Sequence, residues 1–166
     1  MRTASTLTLV DSASATDEVY SVQFSPDGTK IVSGDNDYMI KVWEASTLNL
    51  IKSVTHDSTS SCEEWEQTIS VDFSPDGTKI VSGACSGTIK VWNMNVPWES
   101  DLSLFASDDA GSAVYSVAFA PHGATIASGN RAGSIRSWAF LSSSSVSLLN
   151  ATLETCATTG LSTVGH

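Results

Sequence analysis

The chain is short of positive charge: 8 lysines and arginines stand against 18 aspartates and glutamates in 166 residues, a formal net charge of −10. Phosphate backbones are gripped by clustered Lys and Arg, so this shortage argues against nucleic acid as the main partner. It is compatible with a basic peptide partner, or with solubility alone. Long apolar runs are also missing, and none approaches the roughly 18 residues of a membrane span. The run Leu7-Thr-Leu-Val10 ahead of Ala13-Ser-Ala15 is too short and too threonine-rich for a secretory signal. The sequon Asn150-Ala-Thr152 would matter only in a secreted chain. Cysteine is sparse: Cys62, Cys85 and Cys156 are odd in number and far apart. Neither a disulfide framework nor a metal-ligand spacing is visible in them, and a reducing, cytoplasmic setting is the expectation. Good helix formers are few while Ser and Thr are abundant, a balance that favours strands and turns.

What the chain does have is repetition. Phe24-Ser-Pro-Asp-Gly-Thr-Lys-Ile-Val-Ser-Gly34 recurs letter for letter as Phe73 to Gly83, and in altered form as Phe119-Ala-Pro-His-Gly-Ala-Thr-Ile-Ala-Ser-Gly129. Each copy ends in a strand-like run closed by tryptophan: Met39 to Trp43, Thr88 to Trp92 and Ser134 to Trp138. A period of about fifty residues signals a repeat architecture.

Within one copy the pattern is four short antiparallel strands. Val19 to Phe24 has apolar residues at 19, 22 and 24, a step that predicts a bulge near the strand start. Ser25-Pro-Asp-Gly28 is a turn, with proline presetting φ and glycine taking the left-handed conformation. Thr29–Ser33 returns, and Met39–Trp43 runs back with Ile40 and Val42 on one face and Lys41 and Trp43 on the other. Leu50–Thr55 is the fourth strand. The second copy places strands at Thr68–Phe73, Thr78–Ser82, Thr88–Trp92 and Leu102–Ala106, after an insertion at 57–67 that carries Glu63-Glu-Trp-Glu66 and with a longer loop at Pro97 and Trp98. The third has Val114–Phe119, Thr125–Ser128, Ser134–Trp138 and Ser147–Leu153. Ser137 stands where both earlier copies have valine, and Ser142–Ser145 reads as a flexible connection. Residues 3–10 alternate weakly and read as a strand ahead of the first copy.

The duplicated eleven residues and the Ile-Lys-Val-Trp ends resemble the WD-repeat β-propeller family. The resemblance runs over residues 5–154. It implies an all-β propeller of three four-stranded antiparallel blades, open or partial rather than closed. The repeat region is 1–155, with blade cores at about 19–55, 68–106 and 114–153. Residues 3–10 would be an orphan outer strand and 156–166 a loose tail. Closed propellers have four to eight blades, so the chain is either part of a longer propeller or a protomer that closes by self-assembly. The family's structural tetrad links His, Asp, Ser and Trp within a blade. On this resemblance Ser33, Asp37 and Trp43 carry it in the first copy without a histidine. His56 and Trp92 carry it in the second, with Ser86 at the aspartate position, and Trp138 remains in the third, where Ala132 is at that position. The tetrad is thus expected to be broken in every copy.

Catalytic chemistry finds no footing. Gly83-Ala-Cys-Ser-Gly87 imitates a nucleophile elbow but joins two strands rather than a strand and a helix. Asp35-Asn-Asp37 has the opening of a calcium loop without its glycine and distal glutamate. His56 has no nucleophile or carboxylate paired with it by motif, while His122 and His166 sit in a turn and at the terminus. No metal or cofactor is expected. The resemblance implies a non-catalytic scaffold or adaptor that binds a protein or peptide on the propeller face. The alternative is a regulatory or targeting part of a larger WD-repeat protein whose catalytic domain is elsewhere. The family's binding face maps by position onto Glu18, Gln67 and Ala113 before the inner strands, onto Tyr20, Ile69 and Tyr115 just within them, and onto the turn residues Asn36, Cys85 and Arg131. Tyr20 and Tyr115 are the leading candidates, because tyrosine offers large contact area and a polar tip at low entropy cost.

Overall fold

Alternating apolar residues and Pro-Asp-Gly turns leave the chain little but antiparallel hairpins to form. The computed structural model describes residues 8–56, 69–95 and 101–140. Eleven strands run through them: β1 Val19–Phe24, β2 Lys30–Asp35, β3 Met39–Glu44, β4 Leu50–Thr55, β5 Ile69–Phe73, β6 Lys79–Ala84, β7 Thr88–Asn93, β8 Ser103–Asp109, β9 Val114–Phe119, β10 Thr125–Asn130 and β11 Ile135–Ala139. They make two four-stranded sheets, β1-β2-β3-β4 and β5-β6-β7-β8, and a three-stranded sheet, β9-β10-β11. Every strand pairing between consecutive strands of a sheet is antiparallel. No helix occurs among the described residues. The expected bulge is present, as a register shift between Val19 and Ser21.

Two expectations change. Residues 8–10 form no strand, and Leu9 and Val10 stand 85% and 96% exposed. The rest of that expected strand, residues 3–7, lies outside the described residues. β8 extends to Asp109, past the expected end at Ala106, because Lys90 and Ile89 continue to pair with Ser107 and Asp108. The expected strand at 147–153, the serine run 142–145, the 57–67 insertion, the loop at Pro97 and Trp98 and the 156–166 tail lie outside the described residues.

The core lies between the sheets. Strand alternation gives each blade two apolar faces. Val32, Ile40 and Val42 of the first sheet meet Val71, Phe73, Ile80 and Trp92 of the second. Val81, Ile89 and Val91 of the second then meet Val117, Phe119 and Ile126 of the third, with Trp138 packed against the cluster. The face that each blade turns to the next is called here its trailing face, and the face receiving it the leading face. Glycine at the strand end makes close approach possible: a Cβ on Gly83 would lie 2.4 Å from Val114 Cγ1 and 2.8 Å from Val117 Cγ1. Gly83→Ala should therefore cost about 1–3 kcal/mol through overpacking of the second joint, read as a fall in the urea midpoint with unchanged m-value.

The Pro-Asp-Gly turns are built by their side chains as much as by glycine. Gly28 and Gly77 have φ of 70° and 68°, and each N–H donates to the carbonyl of the serine three residues back, Ser25 or Ser74, at 2.8 Å. Asp27 Oδ1 accepts from Ser25 Oγ at 2.6 Å, Thr29 N at 3.0 Å and Thr29 Oγ1 at 2.8 Å. Asp76 repeats this with Ser74 and Thr78 at 2.6, 2.9 and 2.8 Å. The serine hydroxyl bonds hold both carboxyl groups down from 3.8 to about 2, with the threonine bonds acting in the same direction. In the third copy the serine, aspartate and threonine are all gone, as Ala120, His122 and Ala124, and His122 Nδ1 accepts only the Ala124 N–H at 3.1 Å.

A carboxyl group whose pKa is lower in the folded chain adds stability above the unfolded value and loses it as pH falls through the folded value. The two aspartates should thus contribute fully above about pH 4 and lose their contribution between about pH 4 and pH 2. In a pH series of thermal unfolding, Asp27→Asn with Asp76→Asn should flatten that limb. An unchanged slope would show that the turns do not carry it.

Candidate functional site

Tryptophan can only donate through its ring nitrogen, so each strand-end Trp needs a buried acceptor. All three find the same one. Trp43, Trp92 and Trp138 Nε1 donate to Ser33, Ser82 and Ser128 Oγ at 2.8, 2.7 and 2.8 Å. What surrounds this pair differs in each blade, and there the structure departs from the sequence expectation.

In the second blade the tetrad is rebuilt rather than broken. His56, 1% exposed, lies with Nδ1 2.7 Å from Ser82 Oγ and Nε2 2.9 Å from Thr88 Oγ1. Thr88 Oγ1 is in turn 2.8 Å from Ser86 Oγ. Threonine at the start of β7 therefore supplies the oxygen that aspartate would supply, with Ser86 behind it. The His56 ring stands edge-on to Trp92 at 6.1 Å, and Lys90 Nζ donates to the His56 carbonyl. His56 is a structural residue in this geometry. The elbow-like Gly83 to Gly87 is the tight β6–β7 turn, closed by Gly87 N–H to the Ala84 carbonyl at 3.0 Å.

In the first blade the buried carboxylate is Asp35, fully enclosed, and Asp37 is exposed in the turn. Asp35 pairs with Lys41 Nζ, itself held by Thr16 Oγ1 at 2.7 Å, and accepts the Met39 N–H at 3.0 Å. Asp37 is not the structural aspartate because no imidazole is present to draw it inward, while Asp35 shares the strand face of Ser33 and meets a cation there. Asn130 holds the equivalent place in the third blade, accepting Ser134 N–H at 2.9 Å and donating to the Ala110 carbonyl at 3.2 Å. The sequence alone assigns none of Asp35, Lys41 and Thr88 to these polar networks. Alternation was the available signal, since it puts Asp35 and Lys41 on the face of Ser33 and Trp43.

The proposed partner face is partly assembled. Asn36 N–H donates to the Glu18 carbonyl at 2.9 Å, and Arg131 N–H to the Ala113 carbonyl at 2.8 Å, so the turn and the pre-strand loop meet in both blades. Tyr20, 44% exposed, places its hydroxyl 2.9 Å from Glu18 Oε2 and 3.2 Å from Asn36 Oδ1, while Asn36 Nδ2 donates to Asp17 Oδ2 at 3.2 Å. The Glu18 hydrogen bond, then desolvation and the charges of Glu18 and Asp17, hold the Tyr20 phenol above 10.0. Tyr115 is exposed like Tyr20, and Arg131 is exposed beside it in sequence order of the face. Ala113 is buried. Gln67 lies outside the described residues, and Ile69 opens β5.

Cys85 does not belong to that face as a free side chain. It is buried and disulfide-bonded, and the other two cysteines, Cys62 and Cys156, lie outside the described residues. Its enclosure in the β6–β7 turn is the physical reason. Among the described residues no cluster of three or more His, Cys, Asp or Glu could hold a metal ion. Asp35, drawn to Lys41, is unavailable as a calcium-loop ligand.

Comparison with family models now joins this geometry. The model for the WD domain, G-beta repeat, matches residues 5–44, 54–93 and 101–139, well over half the chain. The chain belongs to the WD-repeat family. No curated protein gives a significant match. The three matched segments take in β1–β3, β5–β7 and β8–β11, and this WD-repeat chain is a partial propeller of three blades, open rather than closed. Proteins of this family are in general non-catalytic platforms for binding other proteins.

Two outcomes test the site. Asp35→Ala leaves Lys41 buried without its carboxylate and should cost about 3–5 kcal/mol in chemical denaturation. Glu18→Gln should bring the Tyr20 phenol back toward 10 in an ultraviolet pH titration, because the main cause of its upward shift is removed.

Proposed function

We propose that this WD-repeat chain is a non-catalytic scaffold that holds a basic peptide or a basic patch of a protein on the face built by the β2–β3, β6–β7 and β10–β11 turns and the loops before the inner strands. The observation that carries the reading is the fixed Tyr20 cluster. Its ring is half exposed, yet its hydroxyl is tied to Glu18 and Asn36, so little side-chain freedom is left to lose on binding. Carboxylates gather at the same end of the blades: Asp17, Glu18 and Asp37 on the first, Asp108 and Asp109 at the end of β8 on the second, all exposed. Arg131 is the basic residue among the turn positions. An acidic rim around tyrosines steers and pairs Lys or Arg side chains, and the ring faces can stack on them. A net charge of −10 works in the same direction and disfavours nucleic acid.

Titration of the chain with Lys- and Arg-rich peptides against acidic controls of equal length tests this. Binding should be selective for the basic set and weaken as salt rises. Tyr20→Ala with Tyr115→Ala should lower affinity about tenfold or more, the range of a central aromatic contact. Equal binding of acidic peptides, or unchanged affinity in the double variant, would contradict the reading.

A further inference from the structure

The leading-face residues are the same in all three blades, but only two of the three sets are covered. Val71 and Phe73 are 4% and 5% exposed against the first blade, and Val117 and Phe119 are 6% and 9% exposed against the second. Their first-blade counterparts, Val22 and Phe24, are 63% and 61% exposed. Around them, Ile31, Trp43, Leu48 and Ala13 help line an open groove of about 270 Å³.

The opposite end of the described array shows the matching vacancy. Ile135, counterpart of the buried Ile40 and Ile89, is 89% exposed. Gly129 is the counterpart of Gly83. A Cβ at Gly83 would strike Val114 and Val117, whereas one at Gly129 would meet nothing within 4 Å. Gly129 also has no positive φ to require glycine. It is a glycine shaped for a neighbour that the described residues do not supply.

A hydrogen-bond series fixes the register such a neighbour would take. Ser21 Oγ accepts the Val71 N–H at 3.2 Å across the first joint. Ser70 Oγ accepts the Val117 N–H at 3.1 Å across the second, beside Asp72 Oδ2 accepting the Phe119 N–H at 2.8 Å. The next serine in the series is Ser116, and the counterpart of Val71 and Val117 without such an acceptor among the described joints is Val22.

We propose that the uncovered leading face of the first blade receives the trailing face of the third blade of a second copy of this chain. Ser116 of one copy then accepts the Val22 N–H of the other, and Gly129 lies against Val19 and Val22, the counterparts of Val114 and Val117. Two copies joined head to tail twice make a closed six-bladed ring, within the family range of blade number. The new joint is weaker than the internal ones, because Ala127 and Ser137 stand where those joints have Val32 and Val42, or Val81 and Val91. This surface is distinct from the peptide face, so either proposal can fail alone.

Sedimentation equilibrium of the full chain, from about 1 µM to about 1 mM, tests the proposal. The expected result is reversible dimerisation that stops at the dimer. Gly129→Val should keep the native melting temperature at low concentration, where nothing lies near the added side chain, and remain monomeric throughout. Ser137→Val should tighten the dimer about a hundredfold or more, because each of its two joints buries two added methyl groups. A monomer at every concentration for both native chain and Ser137→Val would overturn the proposal. So would dimerisation indifferent to Gly129→Val, which would mean a different surface or a covering segment of the same chain, and growth beyond the dimer would overturn ring closure.

Discussion

A blade of this length has apolar residues on both faces of one thin sheet, and neither face can be left in water without cost. The joint between blades is therefore the interaction on which the structure depends. Burying a side chain such as Val or Phe is worth roughly 1.5–3 kcal/mol, and each joint buries several from each side. An isolated blade would have only strand pairing and turns to set against its conformational entropy. Trp92 and Trp138 serve this joint twice, packing in it and donating to the serine of β6 or β10. Gly83 serves it by making room.

Seen from the joint, the variation between blades falls into order. The second blade lies between two neighbours, and it has the fullest polar network: His56, Ser82, Trp92, Thr88 and Ser86. The first blade has its leading face partly open, and its upper end is closed instead by the Asp35–Lys41 pair and Thr16. The third keeps the Trp138–Ser128 bond but replaces the turn network at Ala120, His122 and Ala124. Stability is thus concentrated in the middle of the array. Function, in the proposed reading, sits at one end of the blades, where the copies differ: Tyr20 against Ile69 and Tyr115, and Asn36 against Cys85 and Arg131.

The strands and turns could be read from the residues because period-two alternation and Pro-Asp-Gly chemistry are local. The bulge at Val19 and the whole of β9 follow from that alone. The polar interior was less legible. A family pattern points to Asp37, but burial is decided by which carboxylate shares a strand face with Ser33, and that is Asp35. His56 was placed in the second tetrad by the resemblance, but the replacement of aspartate by Thr88, two residues past the expected Ser86, had no local signature. Asn36 and Glu18 were placed on one face by position in the repeat, and turn and loop meet in the first and third blades.

Hydrogen exchange of the backbone amides, measured strand by strand on dilute chain, tests the central role of the joints most directly. If the joints hold the fold, the Val71, Val117 and Phe119 amides should exchange through opening of whole blades, about a hundredfold or more slower than Val22 and Phe24. The latter pair occupy the same sheet positions without a covering blade. Equal protection at covered and uncovered positions would contradict the account and locate the stability within single blades.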